Sequence, residues 1–248
     1  MRKRLLSQPL DTLNLTQATY FAKMALLNPK QLKIITLNPE MIVNAEKSIE
    51  FQAALNNANL IVADGTGISW ALKYLYPGEY EDFERVPGIE LAEKIILSAN
   101  ELSKKIAIYG GTKEVLEKIA TVFTEKYPKI DIVKTIDGFS EKSDLEIAKE
   151  IAYECPNIIL VALGSPKQEL WIEKYSYLFP KSIMIGVGGT LDVWSGEKER
   201  APEWIRDFHL EWLYRILKEP KRIPRLLSSH PRFVYMVLKQ RVIASRMK

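Results

Sequence analysis

The 248-residue chain has 47% hydrophobic and 27% charged residues and a net charge of +4, a balance typical of a folded globular protein and not of a disordered one. Cys155 is the only cysteine, so no intrachain disulfide can form and we expect a reducing compartment. The N-terminal residues are basic but lack the apolar stretch of a signal peptide, and no uncharged apolar window is long enough to span a bilayer. We therefore expect a cytoplasmic protein without a membrane-spanning helix.

Six short apolar runs predict the strands of a parallel sheet. Each run ends at glycine or a polar loop and is followed by a helical pattern, as in Glu90–Lys105 and Lys113–Tyr127. This alternation indicates βαβ units and therefore an α/β fold with a Rossmann-like, mainly parallel sheet flanked by helices. The runs are Leu32–Leu37, Leu60–Ala63, Ile106–Tyr109, Ile130–Val133, Ile158–Leu163 and Ile183–Val187.

After Trp194 the alternation gives way to helical patterns without strands. Residues 202–219 have aromatic residues at three-to-four spacing, which fits packing on the body at least as well as lipid contact. Phe233–Met247 predicts an amphipathic helix suited to lying in an interface. We predict a core over residues 1–195 and a helical appendage over 196–248. Three prolines are expected to break the appendage into short pieces: Pro220, Pro224 and Pro231.

Positive charge is concentrated in the appendage. From Arg215 onward the chain has ten basic residues, and Glu219 is the only acidic one. This segment therefore carries +9 and residues 1–214 carry −5, which predicts an anionic partner for the appendage: phospholipid, a lipid phosphate or nucleic acid. The sequence has no helix-turn-helix, zinc-finger or RNP signature, which argues against nucleic acid.

Small and polar residues follow nearly every predicted strand. Ligands of open α/β sheets bind outside the carboxyl ends of the strands, and glycine-rich loops let backbone N–H groups approach phosphate oxygens. Together these loops predict a nucleotide-sized ligand, although GxGxxG and P-loop patterns are missing. The loops contain Asn38, Asp64–Gly67, Gly110–Thr112, Gly164–Glu169 and Gly188–Asp192.

Asp64 is the leading candidate for a catalytic carboxylate. It follows an apolar strand and precedes glycine, so we expect its side chain at the mouth of the cleft, where a general base removes a proton from an acceptor hydroxyl. The alternative is that Asp64 only caps a helix beginning near Thr66. Asp137 and Asp192 have a similar ambiguity, between contact with ribose or uracil and capping of a turn. Neither a Cys/His cluster nor a DxD motif is found, so no metal is expected.

Eight short segments follow one another along the chain: Thr36–Glu40, Ala63–Gly67, Arg85–Gly88, Gly164–Glu169, Gly186–Gly189, Arg200–Pro202, Leu210–Trp212 and Glu219–Arg222. In this order they resemble the WecG/TagA/CpsF glycosyltransferases, which form glycosyltransferase family 26. The block Pro166–Glu169 and the three C-terminal segments are specific to that family, whereas the DG and GG pieces are common. The resemblance implies an inverting, metal-independent transferase with a Rossmann-like core and no cofactor.

The resemblance also implies substrates. In the best-understood branch of the family the donor is UDP-N-acetylmannosamine, and the acceptor is N-acetylglucosamine on undecaprenyl diphosphate, which gives the linkage unit of wall teichoic acid. Other branches use an N-acetylmannosaminuronic acid or glucose donor, so the donor sugar stays open. The appendage resembles the family's membrane-docking tail, which implies a peripheral protein on the inner face of the plasma membrane. Whether the chain forms a homo-oligomer also stays open.

Site roles follow from the same resemblance. Asp64 is expected to be the base, and the sugar and acceptor side is assigned to Thr36, Asn38, Arg85 and Gln168. Binding of the lipid diphosphate is assigned to the arginines of the appendage, Arg215, Arg222 and Arg225. The nucleotide side is assigned to Gly110, Gly111, Thr112, Asp137, Gly164, Ser165, Lys167, Gly188 and Asp192.

Overall fold

A computed structural model describes residues 2–208, 210–220 and 223–246, with the side chains of residues 207, 215, 225, 245 and 246 outside that description. The chain begins with an antiparallel hairpin of β1 (Arg2–Leu5) and β2 (Gln8–Asp11), which the apolar pattern did not predict. Six parallel strands follow and form the central sheet. They are β3 (Leu32–Leu37), β4 (Leu60–Ala63), β5 (Lys105–Gly110), β6 (Asp131–Ile136), β7 (Ile158–Ala162) and β8 (Ile183–Gly186).

The order of strands across this sheet is β4-β3-β8-β7-β5-β6, and all neighbours are parallel. All six predicted runs form strands. The main difference is β6, which begins one residue later than predicted and continues to Ile136. The α/β prediction with a mainly parallel sheet is confirmed.

Helices cover both faces of the sheet, which explains why the strands have continuous apolar sequences. Ile34 packs with the cluster that contains α1, α5 and α6, whereas the next residue, Ile35, packs with the cluster on the opposite face. The helices of the body are α1 (Leu15–Leu27), α2 (Pro39–Ala45), α3 (Ile49–Asn56), α4 (Thr66–Leu75), α5 (Gly88–Glu101), α6 (Lys113–Lys126), α7 (Asp144–Tyr153), α8 (Lys167–Tyr175) and α9 (Thr190–Trp194).

The appendage differs from the prediction in two places. Residues 202–219 form two helices, α10 (Glu203–Asp207) and α11 (Glu211–Lys218), instead of one. Arg206 pairs with Glu90 on α5, and Glu211 pairs with Arg85 just before α5. Positions five residues apart on one continuous helix point about 140° away from each other. The break between α10 and α11 therefore lets both side chains face the beginning of α5.

The third helix of the appendage is α12 (Ile223–Arg246), and the prediction that Pro224 and Pro231 break it was wrong. Pro224 lies in the first turn, where the missing N–H has no intrahelical acceptor to lose. Pro231 lies inside the helix. Downstream, Phe233 and Val237 are buried in the core cluster that contains α2 and α4, and this burial outweighs the local cost of proline. No helix in the described ranges has both the length and the apolar character needed to cross a bilayer.

Candidate active site

Two clefts open at the carboxyl ends of the strands. The chain leaves β5 through α6 toward β6 and leaves β7 through α8 toward β8, so the connections diverge and leave a crevice between the two strands. A cleft of about 820 Å³ occupies this position, and we call it the β5–β7 cleft. A second cleft of about 320 Å³ lies at the ends of β3, β4 and β8, and we call it the Asp64 cleft.

The Asp64 cleft brings together the predicted base and all four residues assigned to the sugar and acceptor. Its lining combines loops that are distant in sequence, because their strands end at the same edge of the sheet. Three residues assigned to the nucleotide side, Gly164, Ser165 and Gly188, also line this cleft instead of the larger one. The predicted base and sugar residues that line it are Thr36, Asn38, Asp64, Arg85 and Gln168.

The carboxylate of Asp64 faces the beginning of α5. Its Oδ2 accepts a hydrogen bond from the backbone N–H of Gly88 over 3.3 Å. The N-cap of α4 is Gly65, with no capping hydrogen bond from a side chain, so capping of this helix does not explain the position of Asp64. Because α5 begins at Gly88, the positive end of its dipole stabilises the ionised carboxylate.

Space around Asp64 is limited. A Cβ atom added at Gly88 would lie 3.1 Å from Oγ1 of Thr36 and 3.2 Å from Oδ2 of Asp64. Glycine at this position therefore lets the start of α5 approach both functional groups. Asn38 stands beside them as the N-cap of α2, and its Oδ1 accepts the backbone N–H of Met41 over 3.0 Å. Its amide nitrogen makes no hydrogen bond to the described residues and can donate to a ligand of the cleft.

Both the nitrogen and the oxygen of the Gln168 side-chain amide make hydrogen bonds. Its Nε2 donates to Oε1 of Glu169 over 2.7 Å, and its Oε1 accepts the backbone N–H of Gly188 over 3.1 Å. Arg85, on another wall of the cleft, has its Nη2 4.0 Å from Oε2 of Glu211 in α11. The appendage thus contributes a wall to the Asp64 cleft through Glu211 and its neighbour Trp212.

Four of the residues assigned to the nucleotide line the β5–β7 cleft: Gly111, Thr112, Lys167 and Asp192. Thr112 caps α6, with Oγ1 accepting the N–H of Val115 over 3.3 Å. Asp192 pairs with Lys198 over 2.7 Å. The cleft therefore combines backbone N–H groups at the start of a helix with side chains of both charges, a setting suited to a phosphate and a ribose.

Two other residues assigned to the nucleotide side line neither cleft. Asp137 holds the turn after β6, where its Oδ1 accepts the backbone N–H of Phe139 over 2.9 Å. Gly110 has a φ of +116°, and a Cβ atom there would overlap the backbone of Ala162 at the end of β7. In the structure Asp137 therefore caps a turn, and Gly110 allows close packing against the backbone of Ala162. Both support the loops that form the β5–β7 cleft.

The arginines assigned to the lipid diphosphate fall outside the described side chains. Arg215 belongs to α11 and Arg225 to α12, but only their backbones are described. Arg222 lies outside the described residues altogether. Their role in binding a diphosphate stays a prediction.

The family model described as the Glycosyl transferase WecG/TagA/CpsF family matches residues 3–247. The chain belongs to this family. It is similar to proteins named N-acetylglucosaminyldiphosphoundecaprenol N-acetyl-beta-D-mannosaminyltransferase from two genera. The protein from Bacillus spizizenii is 36% identical over 206 residues, covering 83% of this chain and 78% of the relative. The protein from Staphylococcus aureus strain MW2 is 37% identical over 221 residues, covering 89% and 84%.

Several residues that line the clefts of this glycosyltransferase were missed by the sequence analysis. Phe139 stands at the β5–β7 cleft with 77% of its surface exposed, and Lys142 and Lys174 line the same cleft. Trp171 also lines it, and its buried Nε1 makes no hydrogen bond to the described residues. Such residues follow no strand directly, and no local pattern distinguishes them from ordinary helix and loop positions.

Tyr109 is a further polar residue in the β5–β7 cleft. Its hydroxyl donates to Oδ1 of Asp144 over 3.2 Å. Burial raises the pKa of Tyr109, and the nearby Asp144 carboxylate raises it further, so the hydroxyl remains a protonated donor at neutral pH. No group of three or more His, Cys, Asp or Glu side chains that could hold a metal ion is found in the part of the chain that the structure describes.

Proposed function

We propose that this glycosyltransferase transfers N-acetylmannosamine from UDP-N-acetylmannosamine to N-acetylglucosamine on undecaprenyl diphosphate, with inversion at the anomeric carbon and without a metal ion. The names of the relatives support the transferred sugar and the acceptor. The observation that carries the proposal is the position of Asp64. Its carboxylate lines a cleft with Thr36, Asn38 and Gln168, next to a larger cleft at the switch point of the sheet.

In the proposed reaction Asp64 acts as general base. The acceptor hydroxyl donates a hydrogen bond to the carboxylate, and its oxygen attacks the anomeric carbon as the proton passes to Asp64. The bond between that carbon and the UDP oxygen breaks, and UDP leaves with the electron pair. A single displacement from the face opposite UDP inverts the configuration. The hydrogen bond from Gly88 at the N-terminus of α5 orients the Asp64 carboxylate before the attack.

Negative charge that builds on the leaving UDP requires compensation. Lys142, Lys167 and Lys174 line the β5–β7 cleft, as does Thr112 at the beginning of α6. Cationic side chains and the N–H groups at a helix N-terminus both stabilise developing phosphate charge in a preorganised site. We assign the diphosphate of UDP to this region and the uracil to the side of the cleft with Phe139. The volume of about 820 Å³ falls within the range of small-molecule sites.

A lipid-linked acceptor requires contact with a membrane surface. The exposed side of α12 is suited to making this contact. The helix buries Phe233 and Val237 against the body, whereas its outer surface exposes both apolar and basic residues. An amphipathic surface of this kind lies in the interface of an anionic leaflet, where each basic residue contributes about 1 kcal/mol. We therefore propose a peripheral location on the inner face of the plasma membrane. The exposed residues of α12 include Val234, Tyr235, Leu238, Lys239, Val242 and Ile243.

The decisive experiment offers the purified protein three donors, UDP-N-acetylmannosamine, UDP-N-acetylmannosaminuronic acid and UDP-glucose, with an acceptor analogue carrying N-acetylglucosamine on a polyprenyl diphosphate. We expect transfer from the first donor, no loss of rate with a chelator, and a β linkage in the product by NMR. If the protein prefers one of the other two donors, the sugar of that donor takes the place of N-acetylmannosamine in the proposal. Salt-sensitive binding to DNA or RNA without affinity for UDP refutes the proposal.

A further inference from the structure

Two neighbouring polar side chains are buried at the beginning of α8. Gln168 is 4% exposed and Glu169 is 3% exposed, although glutamine and glutamate are mostly surface residues. Gln168 lines the Asp64 cleft, and Glu169 is not among the described residues that line either cleft. Any influence of Glu169 on a bound substrate therefore passes through another group.

The contacts of Gln168 permit one orientation of its amide. Its oxygen accepts the N–H of Gly188, and its nitrogen donates to the carboxylate of Glu169. Turning the amide by 180° would place its NH₂ against the Gly188 N–H and its oxygen against the Glu169 carboxylate. Both contacts would then be repulsive, because two donors would meet at one end and two acceptors at the other.

The surroundings reinforce this orientation. Gly186 ends β8 directly beside the amide, and a Cβ atom at that position would overlap Nε2 of Gln168. The bond from Nε2 to Glu169 is 2.7 Å long, as expected for a hydrogen bond to a charged acceptor. Glu169 lies in the first turn of α8, where the helix dipole stabilises its negative charge. A carboxylate at position 169 therefore holds the Gln168 amide more firmly than a neutral side chain would.

The nitrogen of Gln168 carries two hydrogens, and Glu169 uses one of them. The second has no acceptor among the described residues, while the side chain lines the cleft that contains Asp64. We infer that Glu169 is a positioning residue, which fixes Gln168 so that its second N–H donates to an oxygen of the transferred or accepting sugar. This inference rests on the proposed function for the identity of the ligand, but the orientation of the amide does not depend on it.

The first test measures orientation without activity. A crystal structure of Glu169→Met should show Gln168 released from Gly188 or divided between two rotamers. The variant Glu169→Gln, whose new amide oxygen can still accept from Gln168, should keep the wild-type arrangement. An unchanged Gln168 conformation in Glu169→Met overturns the inference, whatever reaction the enzyme catalyses. Thermal melting of both variants checks that they fold. If Glu169→Met does not fold, Glu169→Ala, which also lacks an acceptor for the Gln168 amide, takes its place in both tests.

The second test is a double-mutant cycle on sugar transfer. We expect Glu169→Met and Gln168→Ala each to lower kcat/KM about 10- to 100-fold, the scale of a lost hydrogen bond that involves a charge or a reacting substrate. Glu169→Gln should lower it less. In the Gln168→Ala background, Glu169→Met should cause no further loss, because its effect passes through the missing amide.

The outcomes separate this inference from the proposed function. If the wild type transfers none of the three sugars, the proposed function fails, and the crystal structures still decide whether Glu169 positions Gln168. If the wild type transfers sugar but the two substitutions have additive effects, Glu169 has only a structural role and the inference is wrong. Wild-type kcat/KM in Glu169→Met also overturns it.

Discussion

The backbone N–H of Gly88 donates a hydrogen bond to Oδ2 of Asp64, which joins the first residue of α5 to the carboxylate after β4. Glycine leaves room for this contact, since a Cβ atom at residue 88 would lie within 3.2 Å of the side chains of both Asp64 and Thr36 and would push them away. The loop before α5 therefore determines the position of the predicted base, Asp64, although residues 64 and 88 are far apart in the sequence.

Replacing Gly88 with alanine should displace the base. We expect Gly88→Ala to lower kcat about 10- to 100-fold, because a small misplacement of a reacting group costs this much. The melting temperature should stay close to that of the wild type or rise, since alanine favours the helix more than glycine. Steady-state kinetics and thermal melting measure the two effects. Full activity in a folded Gly88→Ala variant contradicts the proposed tight placement of Asp64.

Removal of the base itself should separate catalysis from binding. Asp64→Asn keeps the size of the side chain but cannot accept the proton, so we expect turnover to fall by at least about 100-fold while UDP binds with nearly wild-type affinity. Calorimetry with UDP and a radiolabelled transfer assay measure the two quantities. The matched control is Asp131→Asn, at an exposed position at the start of β6, which should be fully active. Normal turnover by Asp64→Asn removes this residue from the role of base.

The sequence predicted the sheet and the polar loops at its edge, including Asp64, because both depend on local patterns, whereas the assignment of Thr36, Asn38, Arg85 and Gln168 to the sugar and acceptor came from the family resemblance. Buried strands have continuous apolar sequences, and the polar residues that follow them must meet at one edge. The sequence could not decide between the two readings of Asp137, which caps a turn in the structure, and could not predict that Gly110 packs closely against the backbone of Ala162. These outcomes depend on contacts between loops of different strands, and the same local residues are compatible with either role.

The appendage was the least predictable part, because its helices are determined by tertiary contacts. Local rules place a break at Pro231, but the burial of Phe233 in the core keeps α12 continuous. Conversely, the helical pattern of residues 202–219 does not indicate the break between α10 and α11. This break lets Arg206 and Glu211 contact the beginning of α5 together. In both cases a partner distant in sequence decides the local structure.

The ion pairs of Glu90 should hold α10 and α11 beside the Asp64 cleft. Oε1 of Glu90 lies 2.6 Å from Nη2 of Arg200 and 3.8 Å from Nη1 of Arg206. Glu90→Gln removes both pairs, so we expect faster proteolysis between residues 195 and 211 and a several-fold lower kcat/KM, since such pairs contribute about 1 kcal/mol or less. The control is Glu93→Gln on the exposed side of α5. Equal proteolysis of the two variants refutes this anchoring role.

The buried face of α12 should contribute to global stability. Phe233 is 2% exposed and packs with α2 and α4, whereas Tyr235, two residues later on the same helix, is 63% exposed. We expect Phe233→Ala to lower the free energy of unfolding by about 3–5 kcal/mol. Tyr235→Ala should change it by less than about 0.5 kcal/mol. Denaturant titration measures both values. Similar stabilities for the two variants show that α12 is not part of the core.

His230 should make the stability of the folded chain sensitive to pH. Burial lowers the pKa of His230, and the nearby Glu40 carboxylate and a backbone contact with Leu226 oppose this shift without cancelling it. The unfolded chain therefore binds a proton near pH 6.5 that the folded chain accepts only at lower pH. The neutral imidazole contributes its full stability above about pH 6.5, and this contribution is lost as the pH falls through the window below that value.

The prediction is measurable as a difference between two unfolding curves. From pH 7.5 to 5.5 the wild type should lose more free energy of unfolding than His230→Gln, which has no imidazole to protonate at this position. Glu40→Gln should increase the loss in the wild-type background, because removal of the opposing carboxylate lowers the pKa of His230 further. Denaturant titrations at half-unit pH intervals give the slopes. If the wild type and His230→Gln have parallel slopes, the protonation of His230 is not linked to folding.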